Sequence, residues 1–304
     1  MTYFTQTLID ALSLGSLYAL AALGIGLLFG IMRLINFAHG EFVTMSAYAL
    51  IVPSADVTAK LFIGAWNWPV LILAILSFGI AIALISNLLV FRRLRNAAPQ
   101  NLMVVSFALG YIIQNMLMMI YGARPKAIGL WSSLTQATEI GGIRIPLLQP
   151  VTIGVTLLLL LAILLFMRRT SYGIQMRAAA EDFRMARYLG VRADFVIGLS
   201  FALSGLLAGV VGLLYVVQTG LLAPTMGVNI VTFAFIATVI GGMGSLPGAV
   251  LGGLLVGIAT SLLQAYLPDS IRTFRDAFVF LFVIVLLLVR PSGIIRLKQF
   301  EERV

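Results

Sequence analysis

The chain has 304 residues, of which 61% are hydrophobic and 10% charged, with a formal net charge of +9 and no cysteine. Soluble domains run at roughly 45–50% apolar and about 25% charged residues, and an interior of this size cannot hide the surplus from water. A soluble globular fold, a disulfide scaffold and a thiolate metal site are thereby excluded, and lipid is the solvent that remains.

Hydrocarbon offers the backbone no hydrogen-bond partner, so spans must be helices or a closed barrel. The apolar runs here are continuous and about twenty residues long, which predicts helices. They fall at 8–30, 40–53, 69–91, 101–121, 149–167, 195–217, 228–241, 248–267 and 277–290. The expected fold is an all-α polytopic transmembrane helical bundle of eight to ten spans, nine by the central count, forming a single domain over 1–304. The segments 40–53, 228–241 and 277–290 are short for a full crossing and read as tilted half-helices or re-entrant pieces. The first run begins at Leu8 with no basic stretch before it and no small-residue cleavage site, so it reads as a retained span.

Between the first two runs lies Arg33-Leu34-Ile35-Asn36-Phe37-Ala38-His39-Gly40-Glu41-Phe42. A charge inside hydrocarbon costs roughly 2.5–3.5 kcal/mol on insertion scales, so Asn36, His39 and Glu41 are either interfacial or functional. One reading is a turn in which Asn36 caps the next helix and Glu41 sits in its first turn, where the dipole favours an acid. The other is an element of a gate or pathway. A lone His makes no metal site, and no acid–base pair accompanies it.

The connection 122–148 contains Pro125, Gly129, Gly141, Gly142 and Pro146 and reads as a structured loop or short surface helix. The loop 168–194 contains Arg177-Ala178-Ala179-Ala180-Glu181-Asp182-Phe183-Arg184-Met185-Ala186-Arg187-Tyr188-Leu189-Gly190. Its strong helix formers, its apolar stripe of Met185, Ala186 and Leu189, and Gly190 at the C′ position predict one short amphipathic helix. Such a helix lies on lipid headgroups or docks in a partner's groove.

Gly241-Gly242-Met243-Gly244-Ser245-Leu246-Pro247-Gly248 reads as a tight turn leading into close helix packing. No G-x-x-x-x-G-K-[ST] run exists, so the chain carries no P-loop ATPase of its own. Gln114, Asn115, Asn229 and Gln264 are isolated polar residues in or near spans, read as interhelical hydrogen-bonders and as candidates for a substrate path. Breaks followed by small-residue helices at 36–47 and 241–253 raise the question of an internal repeat.

Lys and Arg set the orientation. Loops near 31–41, 92–100 and 168–194 with the tail 290–304 hold 14 basic residues, against 6 in the opposite loops. The positive-inside rule then puts the N-terminus outside and the C-terminus and loop 168–194 in the cytoplasm. The same rule accounts for the basic net charge without nucleic acid, because no basic run is interleaved with stacking aromatics.

The opening Gly15-Ser16-Leu17-Tyr18-Ala19-Leu20 with Gly24 and Gly26, followed by Ile35-Asn36-Phe37-Ala38-His39-Gly40-Glu41, resembles the LivH-type permease family. These are membrane subunits of high-affinity branched-chain amino acid ABC importers. Segment 177–190 resembles the family's coupling loop and 241–253 its glycine hairpin. The ending, 278–290 with Pro291-Ser292-Gly293-Ile294, resembles its last helix and tail. Nearly the whole chain is covered, in the right order.

The resemblance implies a multi-pass permease of the bacterial inner membrane. It implies a second, LivM-type permease, two cytoplasmic ATPase subunits carrying ATP and Mg, and a periplasmic or extracellular substrate-binding protein, with no cofactor on this chain. Arg177, Ala180, Glu181, Asp182, Arg184, Ala186, Leu189 and Gly190 would then couple to an ATPase groove. Asn36, His39, Glu41, Asn115, Asn229, Gly241 and Gly242 are the candidates for the path and gate, where helix ends beside the breaks would meet the zwitterionic ends of leucine, isoleucine or valine. Urea, short amides or other amino acids are the alternative cargo. The rivals from other classes are an ion-coupled secondary transporter, with Asp10 and Glu41 its candidate acids, and a purely structural membrane subunit.

Overall fold

The long apolar runs, free of internal proline, fold as helices that satisfy their own backbone. The computed structural model describes residues 2–54, 56–94, 97–140 and 143–295. In chain order the helices are α1 (Thr2–Met32), α2 (His39–Tyr48), α3 (Trp68–Leu89), α4 (Pro99–Tyr121), α5 (Ser132–Thr135) and α6 (Leu148–Arg169). They continue with α7 (Ser171–Glu181), α8 (Phe183–Tyr188), α9 (Ala193–Thr219), α10 (Met226–Gly241), α11 (Leu246–Tyr266) and α12 (Arg275–Val289). Six of them, α1, α3, α4, α6, α9 and α11, are long and apolar enough to cross a membrane. The three segments expected to be short are short: α2 has 10 residues, α10 has 16 and α12 has 15.

Local chemistry sets several helix starts. Prolines stand in the first turns of α3, α4 and α11, where the missing N–H has no partner to lose. Ser245 Oγ accepts the Gly248 N–H at 3.1 Å to cap α11, and Thr170 Oγ1 accepts the Gly173 N–H at 3.0 Å to cap α7.

α1 runs through the centre and is almost wholly buried, with α9 beside it. Small residues let backbones approach where no aqueous hydrophobic effect drives helices together. α11 packs antiparallel on α1 in this way: Gly253 lies on Ala19 and Gly257 on Gly15, while Gly244, in the turn before α11, lies on Gly30. α3 packs on α9 through Gly79 and Gly205, each so close that a Cβ would strike the other's carbonyl. Large apolar side chains on the outer faces, such as Leu73, Phe107, Met119, Leu158 and Leu288, are exposed. In a bilayer these face lipid or a neighbouring subunit.

The loops gather at two ends. At one end, Arg92 pairs with Asp194 at 3.0 Å, joining the connection after α3 to the start of α9. At the other, Lys126 is buried and donates Nζ to the carbonyls of Ser54 and Asp56. Nearby, exposed Lys60 bonds Asp56 at 2.9 Å and holds that carboxyl below the usual carboxylate range.

The expectation of an all-α chain needs correction at this second end. Three small antiparallel pairs form: Ile51–Val52 with Lys60–Leu61, Lys126–Ala127 with Leu221–Leu222, and Ala137–Ile140 with Ile143–Pro146. The connection 122–148 therefore holds α5 and a hairpin; its Gly141 and Gly142 lie outside the described residues. Outside the bilayer core, strand pairing satisfies loop backbone that no helix can reach.

Candidate functional site

The interruption after α1 is built by Arg33, whose φ of 53° ends the helix in the left-handed region. Residues 33–36 then run without regular structure to the start of α2. Arg33 is exposed, but the polar residues that follow are buried: Asn36 and His39 are 0% exposed and Glu41 is 3% exposed. Asn36 Oδ1 accepts the Ala38 N–H at 3.1 Å, closing an Asx turn. The expected cap is thus displaced, since the N-cap position falls on Ala38, whose side chain has no oxygen to cap α2. Ser106 of α4 accepts the Phe37 N–H at 3.1 Å and donates to the Met103 carbonyl at 2.7 Å. The Phe37 ring packs between Phe107 and Phe235, at 6.4 and 5.3 Å.

His39 is fixed by α1 and α9. Ser204 Oγ donates to the Gly24 carbonyl at 3.2 Å and lies 3.0 Å from His39 Nδ1. The Ser204 hydroxyl thus bridges the ring to the α1 backbone, with the direction of its bond to Nδ1 set by the imidazole tautomer. Three buried polar atoms around the interruption lack a protein partner: Asn36 Nδ2, His39 Nε2 and Glu41 Oε2. Unpaired buried polar groups are costly, and their convergence here makes this cluster the candidate site.

α2 itself is wedged between neighbours. Gly40 and Gly227 of α10 cross so closely that a Cβ on either would strike the other's carbonyl. Gly212 of α9 lies against the Val43 carbonyl, and Gly79 of α3 against Ser46. Gly110 of α4 gives room to Glu41, whose Cγ lies 3.5 Å from where a Gly110 Cβ would stand.

The remaining candidates separate from this cluster. Asn115 donates to the Tyr111 carbonyl of its own helix at 2.7 Å, on a different face of α4 from Ser106 and Gly110. Asn229 is exposed on α10. Both expectations that these asparagines bridge helices within the chain are therefore corrected: periodicity does not say which face of a span is buried. Gln264 instead accepts from Arg275 at 2.9 Å. Gly241 packs on Gly248, and Gly242 (φ 104°) backs onto Gly293 (φ 76°). The tail after α12 is held there, with the Ile294 N–H on the Ile240 carbonyl at 2.9 Å and the Ile295 N–H on the Gly241 carbonyl at 3.1 Å. The two interruptions thus differ in construction, one a buried extended stretch and the other a glycine turn pinned by the tail.

The segment 177–190 is not the single helix expected. It breaks at Asp182, which leaves helical geometry (φ −144°, ψ 108°) and whose Oδ1 accepts the Met185 N–H at 3.0 Å, starting α8. Asp182 breaks the helix because its short carboxylate competes for backbone donors that a longer Glu cannot reach. Gly190 does end the helix in the left-handed region (φ 88°), and the Val191 N–H bonds the Ala186 carbonyl in a Schellman closure. Gly173 is pressed against the backbone of Met167, fixing a tight corner between α6 and α7.

The apolar stripe splits between two environments. Ala186 is buried, but Met185, Tyr188 and Leu189 are 61%, 86% and 85% exposed. Arg177, Glu181 and Ala180 line a cleft beside them; the side chains of Phe183 and Arg184 lie outside the described residues. Sequence reasoning passed over Ser106 and Ser204, which hold the interruption in place, and buried Thr44, which donates to the Gly40 carbonyl within α2. Serine and threonine are tolerated throughout spanning helices, so nothing flagged them. Asn87, buried in α3 with an unpartnered Oδ1, was legible as an amide inside an apolar run and was missed. Among the described residues no group of three His, Cys, Asp or Glu converges on a metal position.

Comparison with known proteins adds the context. Residues 7–289 match the family described as branched-chain amino acid transport system / permease component. The chain is 33% identical, over 99% of its length and 98% of the relative's, to the high-affinity branched-chain amino acid transport system permease protein LivH of Salmonella typhimurium. It is 31% identical over the same shares to the corresponding protein BraD of Pseudomonas aeruginosa. A shorter match, 29% identical over 42% of the chain and 41% of the relative, is to the autoinducer 2 import system permease protein LsrC of Photorhabdus luminescens.

Proposed function

The chain belongs to the family of permease components of branched-chain amino acid transport systems, and from that premise we propose that it is the membrane permease of an ABC importer for leucine, isoleucine and valine. It is one permease domain over 1–304 in a bacterial inner membrane, with nine membrane-embedded segments, an external N-terminus and a cytoplasmic C-terminus. It pairs with a second, LivM-type permease. Two ATPase subunits below supply ATP and Mg, and a periplasmic or extracellular binding protein delivers the substrate. The chain itself binds no cofactor and breaks no bond; it contributes a conformational equilibrium that the ATPases bias. Family membership takes precedence over the ion-coupled and structural-subunit readings.

The observation that carries this reading is the α7–α8 corner. An isolated chain gains nothing by holding Met185, Tyr188 and Leu189 in water on a rigid, capped corner. A helix that docks in a partner's groove needs them there. Movement of this corner with the ATPases would switch access to the buried interruption, where Asn36 and Glu41 are the groups we assign to the zwitterionic ends of the substrate.

The test is ATPase stimulation in proteoliposomes holding this chain, its partner permease and the ATPases. A leucine-loaded binding protein is expected to stimulate hydrolysis, and urea-loaded or empty protein is not. Stimulation by urea or another amino acid alone would replace the cargo; none with any ligand, in an assembled complex, would sink the importer reading. Asn36→Ala is expected to lower leucine uptake in the same vesicles, and unchanged uptake would remove it from the path.

A further inference from the structure

A cleft of about 460 Å³ opens where α1 ends, between α6, α7 and the 243–247 turn. Its floor is apolar, with Leu27, Leu164, Met167 and Met243 among the lining side chains. Its rim carries Arg33, Arg168 and Arg177 against a single acid, Glu181. All three arginines are exposed. Ser245, the N-cap of α11, with Leu246 and Pro247, its first residues, completes the wall, so the N-terminal end of a 21-residue helix borders the same space.

Local structure fixes this arrangement. The Gly173 corner folds α7 back over the end of α6 and brings Arg168 and Arg177 to one cleft. The left-handed backbone at Arg33 turns that residue off the end of α1 on the opposite wall. The cleft lies at the end of the spans where the basic loops gather, and Leu161 and Leu165, in the same part of α6 as the lining residue Leu164, are exposed and apolar.

A cationic rim over an apolar floor, at the headgroup level of a membrane protein, matches one class of molecule in both parts. The rim meets a phosphate and the floor meets the first carbons of acyl chains. We propose that this cleft binds the phosphate headgroup of an anionic phospholipid. A free phosphate or nucleotide would use the rim but leave the floor empty, and a zwitterionic lipid would place its own cation among three arginines. Because α7 forms one wall and the 243–247 turn another, the bound lipid would brace the α7–α8 corner against the bundle.

The test uses the full chain in mild detergent and native mass spectrometry, titrated with phosphatidylglycerol, phosphatidylcholine or inorganic phosphate. One phosphatidylglycerol is expected to be retained at least tenfold better than phosphatidylcholine, and millimolar inorganic phosphate is not expected to displace it. Arg168→Glu is expected to lower retention at least fivefold, the effect of about 1 kcal/mol for each basic group removed from an anionic headgroup. Arg168→Lys keeps the charge and most of the binding. Arg144→Glu, an exposed substitution near the opposite end of α6, serves as a control for overall charge and should leave retention unchanged. Equal retention of the two lipids, displacement by free phosphate, or indifference to Arg168→Glu would each overturn the proposal. So would loss of ATPase-subunit binding in Arg168→Glu with lipid retention intact, which would assign the rim to a protein partner.

Discussion

The His39 imidazole occupies the notch that Gly24 leaves in α1: a Cβ on Gly24 would stand 2.6 Å from His39 Nε2. No side chain fits there while the ring stays on Ser204. Gly24→Val is therefore expected to destabilise the protein by about 1–3 kcal/mol, the usual cost of overpacking. The purified chain would show this as a lowered Tm. Gly24→Val combined with His39→Ala should recover part of the loss; an equal or larger loss in the pair would mean that the notch does not exist for the ring.

The Gly40–Gly227 crossing makes a sharper demand, because backbone meets backbone and there is no flexible side chain to swing away. Gly227→Val is expected to abolish accumulation of folded protein. Gly154, with open space around it, is the matched control: Gly154→Val should accumulate normally.

Tyr188 and Leu189 should behave in the opposite way. Both project into water, so Tyr188→Ser with Leu189→Ser is expected to leave Tm within about 1 °C, in line with the small effect of surface substitutions. Uptake in the assembled transporter should nevertheless fall at least tenfold, together with co-purification of the ATPase subunits. Full uptake by the double variant would assign the α8 tip to lipid headgroups.

Lys126 ties two loops at the end distant from this tip. Lys126→Met keeps the bulk and removes the donor to the Ser54 and Asp56 carbonyls. Hydrogen bonds to a charged group are worth about 1.5–3 kcal/mol, so a stability loss of that order is expected in chemical denaturation. A stability loss near zero would show that water replaces the ammonium.

The long spans were legible because an apolar run has one outcome in lipid, and the three shortened segments were legible from their length. Asn36, His39 and Glu41 stood out because polar groups are conspicuous against such a background. The break at Asp182 was hidden inside a run of good helix formers, where one cap decides between one helix and two. The faces of Asn115 and Asn229 were hidden because a span's inner side depends on neighbours far away in sequence. The two-residue ladder between Lys126–Ala127 and Leu221–Leu222 joins positions about a hundred residues apart and leaves no local pattern.

The glycine contacts around α2 bear on how such a protein can move. A short helix seated carbonyl-to-glycine against α9 and α10, with α3 on Ser46, cannot swing out alone as a flap, since each seat must be vacated at once. On the path proposed above, opening a route past Asn36 would require α2 to travel with its seats as one rocker, hinged at the 33–36 stretch. The motion becomes all-or-none, and its rate should be set by sliding at the outer faces of that block.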